Sequence, residues 1–168
     1  VGSIDRTLWP PGPWDGEPDS LDWVSVGLPL DGSMQRVPCA LRRSSASGVW
    51  CGYINVPHSH PWARGRRLEH DDVQVHGGVT SEHMHDEGFT VGFDCGHYGD
   101  YAPALEAAVN AACGRDLVKE YVESSEHGVY RTMDYARRET EKLAEQARAA
   151  ARGALGQAVV EEIREAKE

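Results

Sequence analysis

The residues able to do chemistry gather in three short runs in the middle of the chain. They are Gly52-Tyr53-Ile54-Asn55-Val56-Pro57-His58-Ser59-His60-Pro61, Asp72-Val73-Gln74-Val75-His76-Gly77-Gly78-Val79-Thr80 and Gly92-Phe93-Asp94-Cys95-Gly96-His97-Tyr98-Gly99-Asp100. Each reads as a strand running into a loop that carries histidine, and loops at strand ends are where a rigid scaffold usually places binding and catalytic groups. Imidazole changes charge near neutral pH, so His76 and His97 are candidates for an acid–base pair. Asp94 or Asp100 would orient one ring and fix its tautomer. Gly77-Gly78 would let backbone amides approach an anion closely, as in a phosphate-binding nest. Arg131 is suited to a phosphate, and the helix it opens favours anions at its start. Tyr53, His60, Thr80 and Tyr130 complete the candidate ligand-binding set. The competing reading is plain: surface loops hold His and Asp by chance, double glycine often marks a bulge, and Arg131 has Glu126 or Asp134 as surface partners.

Other chemistries are less well served. His76, Asp94, His97 and Asp100 have donor types suited to zinc, manganese or iron, so a divalent metal is compatible with the site without being required by it. No helical His-x-x-x-His pair fixes a metal geometry. His70-Asp71-Asp72 looks like a phosphohydrolase His-Asp dyad, but that fold is helical and this segment is loop running into strand. Cys95 and His97 would share a face only if the strand continued through Gly96, and free Cys is usually a small buried hydrophobe. There is no Walker loop, no Rossmann glycine fingerprint and no Gly-x-Ser-x-Gly elbow. His60 directly precedes Pro61, which restricts it to an extended backbone, so a structural role at a strand exit competes with its place in a pocket.

These loops need strands to hold them. Pro38 to Ser44 and Val49 to Val56 read as a hairpin around Ser44–Gly48, with Val49, Cys51, Tyr53 and Asn55 on one face and Trp50, Gly52, Ile54 and Val56 on the other. Pro57 to Asp72 reads as a long loop, Val73 to Thr80 as a third strand broken by the double glycine, and Phe89 to Asp94 as a fourth. Ala102 to Ala112 and Leu117 to Val122 read as short helices. From Tyr130 to about Arg152 the pattern is a long amphipathic helix, with Met133, Ala136, Leu143, Ala147 and Ala150 on one stripe. Gly153 and Gly156 weaken the helical pattern beyond that point, and Val159 to Lys167 reads as a final set of helical turns. The expected fold is therefore α+β: a small antiparallel sheet whose strand-end loops form one site, followed by a long C-terminal amphipathic helix. Residues 1–20, with Trp9, Trp14 and four prolines, form an extended arm anchored by its tryptophans. Residues 21–147 form one domain, and 148–168 an Ala-rich helical tail whose shallow face suits a homo-oligomer.

A chain of 168 residues can bury its own core without staples. Its net charge of -10 disfavours non-specific nucleic-acid binding; the local basic cluster Arg64, Arg66 and Arg67 reads as a solvated loop. The cysteines Cys39, Cys51, Cys95 and Cys113 form no Cys-x-x-Cys pair, which argues against a zinc knuckle and for free thiols in a reducing cytosol. No apolar run is long enough to span a membrane, and no signal peptide precedes the first motif.

Taken together, the motifs resemble a family of small proteins carried by tailed phages and by related bacterial, often actinobacterial, genomes. The matching residues are Trp14, Glu17-Pro18-Asp19, Pro38-Cys39, Cys51-Gly52-Tyr53, Pro57, His60-Pro61, His76-Gly77-Gly78, Thr80, Gly92-Phe93-Asp94-Cys95, His97, Gly99-Asp100, Tyr130-Arg131, Tyr135 and Glu139. They span roughly residues 14–147. Ile54 and Val79 depart mildly from the pattern, and the stretch between Thr80 and Phe89 is shorter than in the family. His58, His70, His83, His85 and His127 lie outside it.

The resemblance implies a context, that of small accessory phage proteins, which often disarm bacterial immunity by destroying or sequestering a nucleotide signal. The expectation is a cytoplasmic protein of an infected or lysogenic host that hydrolyses a phosphodiester in a small nucleotide. His76, His97, Asp94 and Asp100 would be catalytic. The alternatives are an oligomeric sponge that binds such a signal intact, and a structural or host-interaction protein with no small ligand.

Overall fold

The computed structural model describes residues 4–30, 33–65, 67–113 and 128–165. Five strands, β1 (Ser20–Leu30), β2 (Ser33–Arg43), β3 (Trp50–Val56), β4 (Ser81–His85) and β5 (Gly88–Asp94), form one open sheet in the order β1-β2-β3-β5-β4. Every pairing is antiparallel. Two helices follow, α1 (Pro103–Cys113) and α2 (Met133–Glu165). This is the expected α+β arrangement of a small antiparallel sheet and a long C-terminal helix.

The alternation in β3 sets the layering. Trp50, Gly52, Ile54 and Val56 are buried, whereas Cys51, Tyr53 and Asn55 take the opposite face of the sheet. From β5, Phe89, Val91 and Phe93 join the same core, as does Cys95 just after the strand. Across it runs a stripe of α2: Ala136, Thr140, Leu143, Ala144, Ala147 and Ala151 are all fully buried. Their spacing of three and four residues is one helical face, and their small size lets the helix axis approach closely. At the closest point a Cβ on Gly52 would fall 2.3 Å from Thr140 Oγ1. Pro38 sits within β2 opposite Val24, directly beside a register shift between Val24 and Gly27, where the missing N–H is tolerated.

Several expectations need correction. Val73 to Thr80 is not a strand. Val73 and Val75 do point inward, but the backbone between them pairs with a side chain: Gln146 of α2 accepts from the Gln74 N–H (2.8 Å) and donates to the Gln74 carbonyl (2.8 Å). The fourth strand in chain order is instead Ser81–His85, paired with β5 across a turn at Asp86-Glu87. β1 is an addition to the expected strands, and β2 starts five residues before Pro38. α2 continues unbroken through Gly153 and Gly156 to Glu165, longer than expected. Among the residues whose side chains are described, the last fully buried position of its stripe is Ala151. The expected helix at Leu117–Val122 lies outside the described residues, as does Arg66; Arg64 and Arg67 are exposed, in keeping with a solvated loop.

The N-terminal arm is folded onto the body. Trp14 is buried, stacked on Tyr101 and edge-on to Tyr130. Glu17 ties the arm to three elements: one oxygen accepts from Arg43 (2.7 Å), Trp50 Nε1 (3.0 Å) and the Tyr130 hydroxyl, the other from the Met133 N–H (2.7 Å). That last bond satisfies an amide at the first residue of α2, where Thr132 also caps the Tyr135 N–H. Burial alone would raise the Glu17 pKa, but the bonds from Tyr130, Met133, Trp50 and Arg43 bring it below the ordinary carboxylate value.

Candidate functional site

Three segments meet at one carboxylate. The extended run 73–76 places His76 beside α2, the turn after β5 carries His97 and Asp100, and residues 128–131 bring Arg131 alongside. The turn is closed by Asp100 N–H donating to the His97 carbonyl (2.9 Å). Val129 N–H then donates to Gly99 O (2.7 Å) and Tyr101 N–H to Val129 O (3.1 Å), fixing Arg131 next to Asp100. This approach requires a glycine at 128, where a Cβ would lie 2.7 Å from the Asp100 backbone.

Asp100 is the hub, its side chain only 1% exposed. Oδ2 bonds His76 Nε2 (2.6 Å) and accepts from the His97 backbone N–H (3.0 Å), while Oδ1 accepts from Arg131 Nε (2.7 Å). Burial by itself would raise the Asp100 pKa, but the bonds from Arg131, His76 and the His97 amide hold it below the usual carboxylate value. The same hydrogen bond raises the Arg131 pKa.

His76 is held at both ring nitrogens, its Nδ1 lying 2.9 Å from the Tyr135 hydroxyl. With an ionised Asp100 at Nε2, that nitrogen carries the proton, so in the neutral ring Nδ1 accepts from Tyr135. The His76 backbone N–H donates to Glu139 Oε2 (3.0 Å), and Glu139 is in turn paired with Lys142 (2.5 Å). His97 is held differently. Its ring stands edge-on to His76 with centroids 5.4 Å apart and rests on Gly77, whose backbone leaves the room: a Cβ there would sit 2.0 Å from His97 Cε1. His97 Nδ1 is buried and, among the described residues, without a hydrogen-bond partner, 3.8 Å from both Asp94 Oδ1 and Asp100 Oδ2.

Of the expected site residues, His76, His97, Asp100, Arg131 and Gly77 come together, and Asp94 borders them. Gly78 does not offer its amide to an anion, because its N–H is engaged by the Val75 carbonyl in a turn. Its φ of 85° and that of 65° at Gly77 serve the turn and the His97 ring instead. His60 is fully buried: Nδ1 accepts from the Trp62 N–H and Nε2 donates to the Ala147 carbonyl (2.9 Å), so it joins the short 3-10 turn at Pro61–Ala63 to α2 and cannot touch a ligand. Tyr130 belongs to the Glu17 network, its hydroxyl pKa raised first by burial. Tyr53 lies on the sheet face opposite α2, bordering a depression with Asp22, Arg42, Asn55 and Thr90. Thr80 is exposed at the entry to β4, its N–H bonded to Gly92 O (2.9 Å). Cys95 is buried and burial pushes its thiol pKa up, which disfavours the thiolate that a nucleophile needs.

Tyr135 and Glu139 belong to the resembling motifs, yet residue type alone suggests no role for them in the site. They stand at i and i+4 on one face of α2, and Arg131, which precedes the helix rather than opening it, lies 4.9 Å over the Tyr135 ring. That spacing is the signal by which the sequence could have placed them there. A groove of about 720 Å³ lined by Gln74, Arg137, Glu141, Lys142 and Glu145 runs along the outer face of α2 and does not include the cluster.

Comparison of the chain with known protein families, curated proteins and solved structures finds no match. No described helix is long and apolar enough to cross a membrane.

Proposed function

We propose that the protein hydrolyses a phosphoester in a small nucleotide-like ligand, at the cluster of His76, His97, Asp100 and Arg131. The observation that carries this reading is the single buried Asp100 carboxylate, which joins two imidazole-bearing loops and a guanidinium. Asp100 fixes the tautomer of His76 and holds Arg131 by its Nε, so the Nη groups, which hydrogen-bond no other described residue, remain for a phosphate. His97 has the more open ring of the pair, at 32% exposure against 12% for His76, and stands where an attacking water would be activated. His76, engaged at both nitrogens, positions rather than exchanges protons. The setting we propose is the cytoplasm of an infected or lysogenic host, where such an activity would remove a nucleotide immune signal.

The test is incubation with a panel of cyclic dinucleotides and ADP-ribose derivatives, with and without added divalent metal, followed by chromatography and mass spectrometry. Cleavage of one class, lost in His97→Ala, supports the reading. Recovery of every compound intact overturns it, and recovery of intact ligand from a heated complex would replace it with sequestration.

A further inference from the structure

One ring nitrogen from each of His76 and His97 and one oxygen of Asp100 lie within 4.8 Å of one another. The spacing within the group is unusual for hydrogen bonding alone. His97 Nδ1 is buried and unpartnered, yet faces two carboxylate oxygens, each 3.8 Å away. That is too long for a hydrogen bond. It is close to the separation of two ligands that share one ion: with metal–ligand distances of about 2.0–2.1 Å, neighbouring donors stand roughly 3.0–3.5 Å apart. The pair His76 Nε2 and Asp100 Oδ2, at 2.6 Å, would open to the same range by a shift of about half an ångström.

We propose that His76 Nε2, His97 Nδ1 and Asp100 Oδ2 bind a divalent transition-metal cation, zinc by donor set, with an open position for water on the side of Asp94. Two imidazoles and one carboxylate with a vacant position is the ligand set of hydrolytic zinc. The outer groups needed are in place. Tyr135 would accept a hydrogen bond from His76 Nδ1–H once Nε2 coordinates, a tautomer exchange within the neutral ring, and Arg131 holds the second Asp100 oxygen. Local charge permits a dication: Asp94, Asp100 and Glu139 face Arg131 and Lys142. The consequence for catalysis, a metal-bound water as the nucleophile, rests on the hydrolase reading; the ion itself does not.

Metal-stripped full-length protein is titrated with zinc by calorimetry and with cobalt(II) by visible absorption. One ion per chain is expected, with a tetrahedral cobalt spectrum. His97→Asn should weaken binding at least about 100-fold and Tyr135→Phe about tenfold, with unchanged circular dichroism. The stacked pair His83 and His85 on β4 is a second imidazole cluster, and replacing both by Asn should leave the affinity unchanged. Absence of stoichiometric binding, equal affinity in His97→Asn, or loss of binding in the His83/His85 variant overturns the proposal. Cleavage of nucleotides by protein that binds no zinc in the titration overturns the ion but not the hydrolase, and stoichiometric zinc binding without cleavage of any compound does the reverse.

Discussion

Replacing Gly77 and Gly78 separately by alanine distinguishes a glycine required by backbone conformation from one required by a neighbouring ring. Both have positive φ, 65° and 85°. An L side chain in that region costs about 1–2 kcal/mol, so both variants lose stability by similar amounts. In a domain of this size that is a fall in Tm of roughly 2–8 °C. The surroundings then separate them. At Gly78 a Cβ meets nothing within 4 Å, whereas at Gly77 it falls 2.0 Å from His97 Cε1, 2.2 Å from Nε2 and 2.4 Å from Nδ1. Reaching van der Waals contact near ~3.5 Å requires the imidazole to move by about 1.5 Å. The His97 ring has an exposed edge and can swing outward, so the cost of the clash appears as displacement rather than unfolding. Gly77→Ala should therefore abolish the juxtaposition of His97 with His76 and reduce cation binding and turnover by about 100-fold or more, since misplacement by an ångström is enough to do so. Gly78→Ala should stay within about threefold of the parent. Thermal melts read the common stability loss, and calorimetry with imidazole-selective NMR reads the divergence. Equal retention of site function by both variants, or greater loss in Gly78→Ala, would refute the reasoning.

Arg131→Ala removes the bond to Asp100 Oδ1 and leaves a buried carboxylate short of a partner; turnover should fall at least about tenfold and stability by about 1–3 kcal/mol, measured by kinetics and denaturant titration. His60→Gln should keep activity within about tenfold, because the ring is remote from the ligand. The His60 pKa is lowered by burial, so the unfolded chain takes up its proton first and stability declines as pH falls below about 6.5; that part of the slope between pH 7 and 5 should vanish in His60→Gln on pH-resolved melts. Asp100 and Glu17 have lowered pKa values, so the stability they confer is full above about pH 4.5 and is lost as pH falls through their folded values. Glu17→Gln should flatten the acid limb of the Tm profile below that pH. Deleting residues 153–168, which follow the last fully buried position among the described side chains at Ala151, should change Tm by no more than about 3 °C, and light scattering of the same variant tests whether the overhang supports self-association.

The strands with clean alternation are legible in the sequence, as is the helix stripe, because each is a local pattern whose burial follows from period alone. β1 is not, since Gly27 and Pro29 interrupt its hydrophobic signal and its partner is supplied by the following strand. Val73–His76 shows where such reasoning fails. Its alternation correctly sends Val73 and Val75 inward, but no local feature says whether an extended segment will pair with another strand or with Gln146 and Glu139, more than sixty residues away.

The same limit applies inside the site and explains its most useful asymmetry. By residue type His76 and His97 are equivalent, and reading them as a pair of proton carriers treats them so. The Asp100 carboxylate separates them, because Oδ2 engages the ring of His76 but only the backbone of His97. Tyr135, in the first turn of α2, then occupies the remaining nitrogen of His76, while Gly77 gives the His97 ring a floor and no hydrogen-bond partner. One imidazole is thereby immobilised as part of the scaffold, and the other keeps a ring nitrogen uncommitted beside two carboxylates. A site built for stability alone would have satisfied that nitrogen, since an unpaired buried polar atom costs about 1–3 kcal/mol. In the cation proposal, His97 Nδ1 is the position at which an ion from outside the chain would complete the bonding.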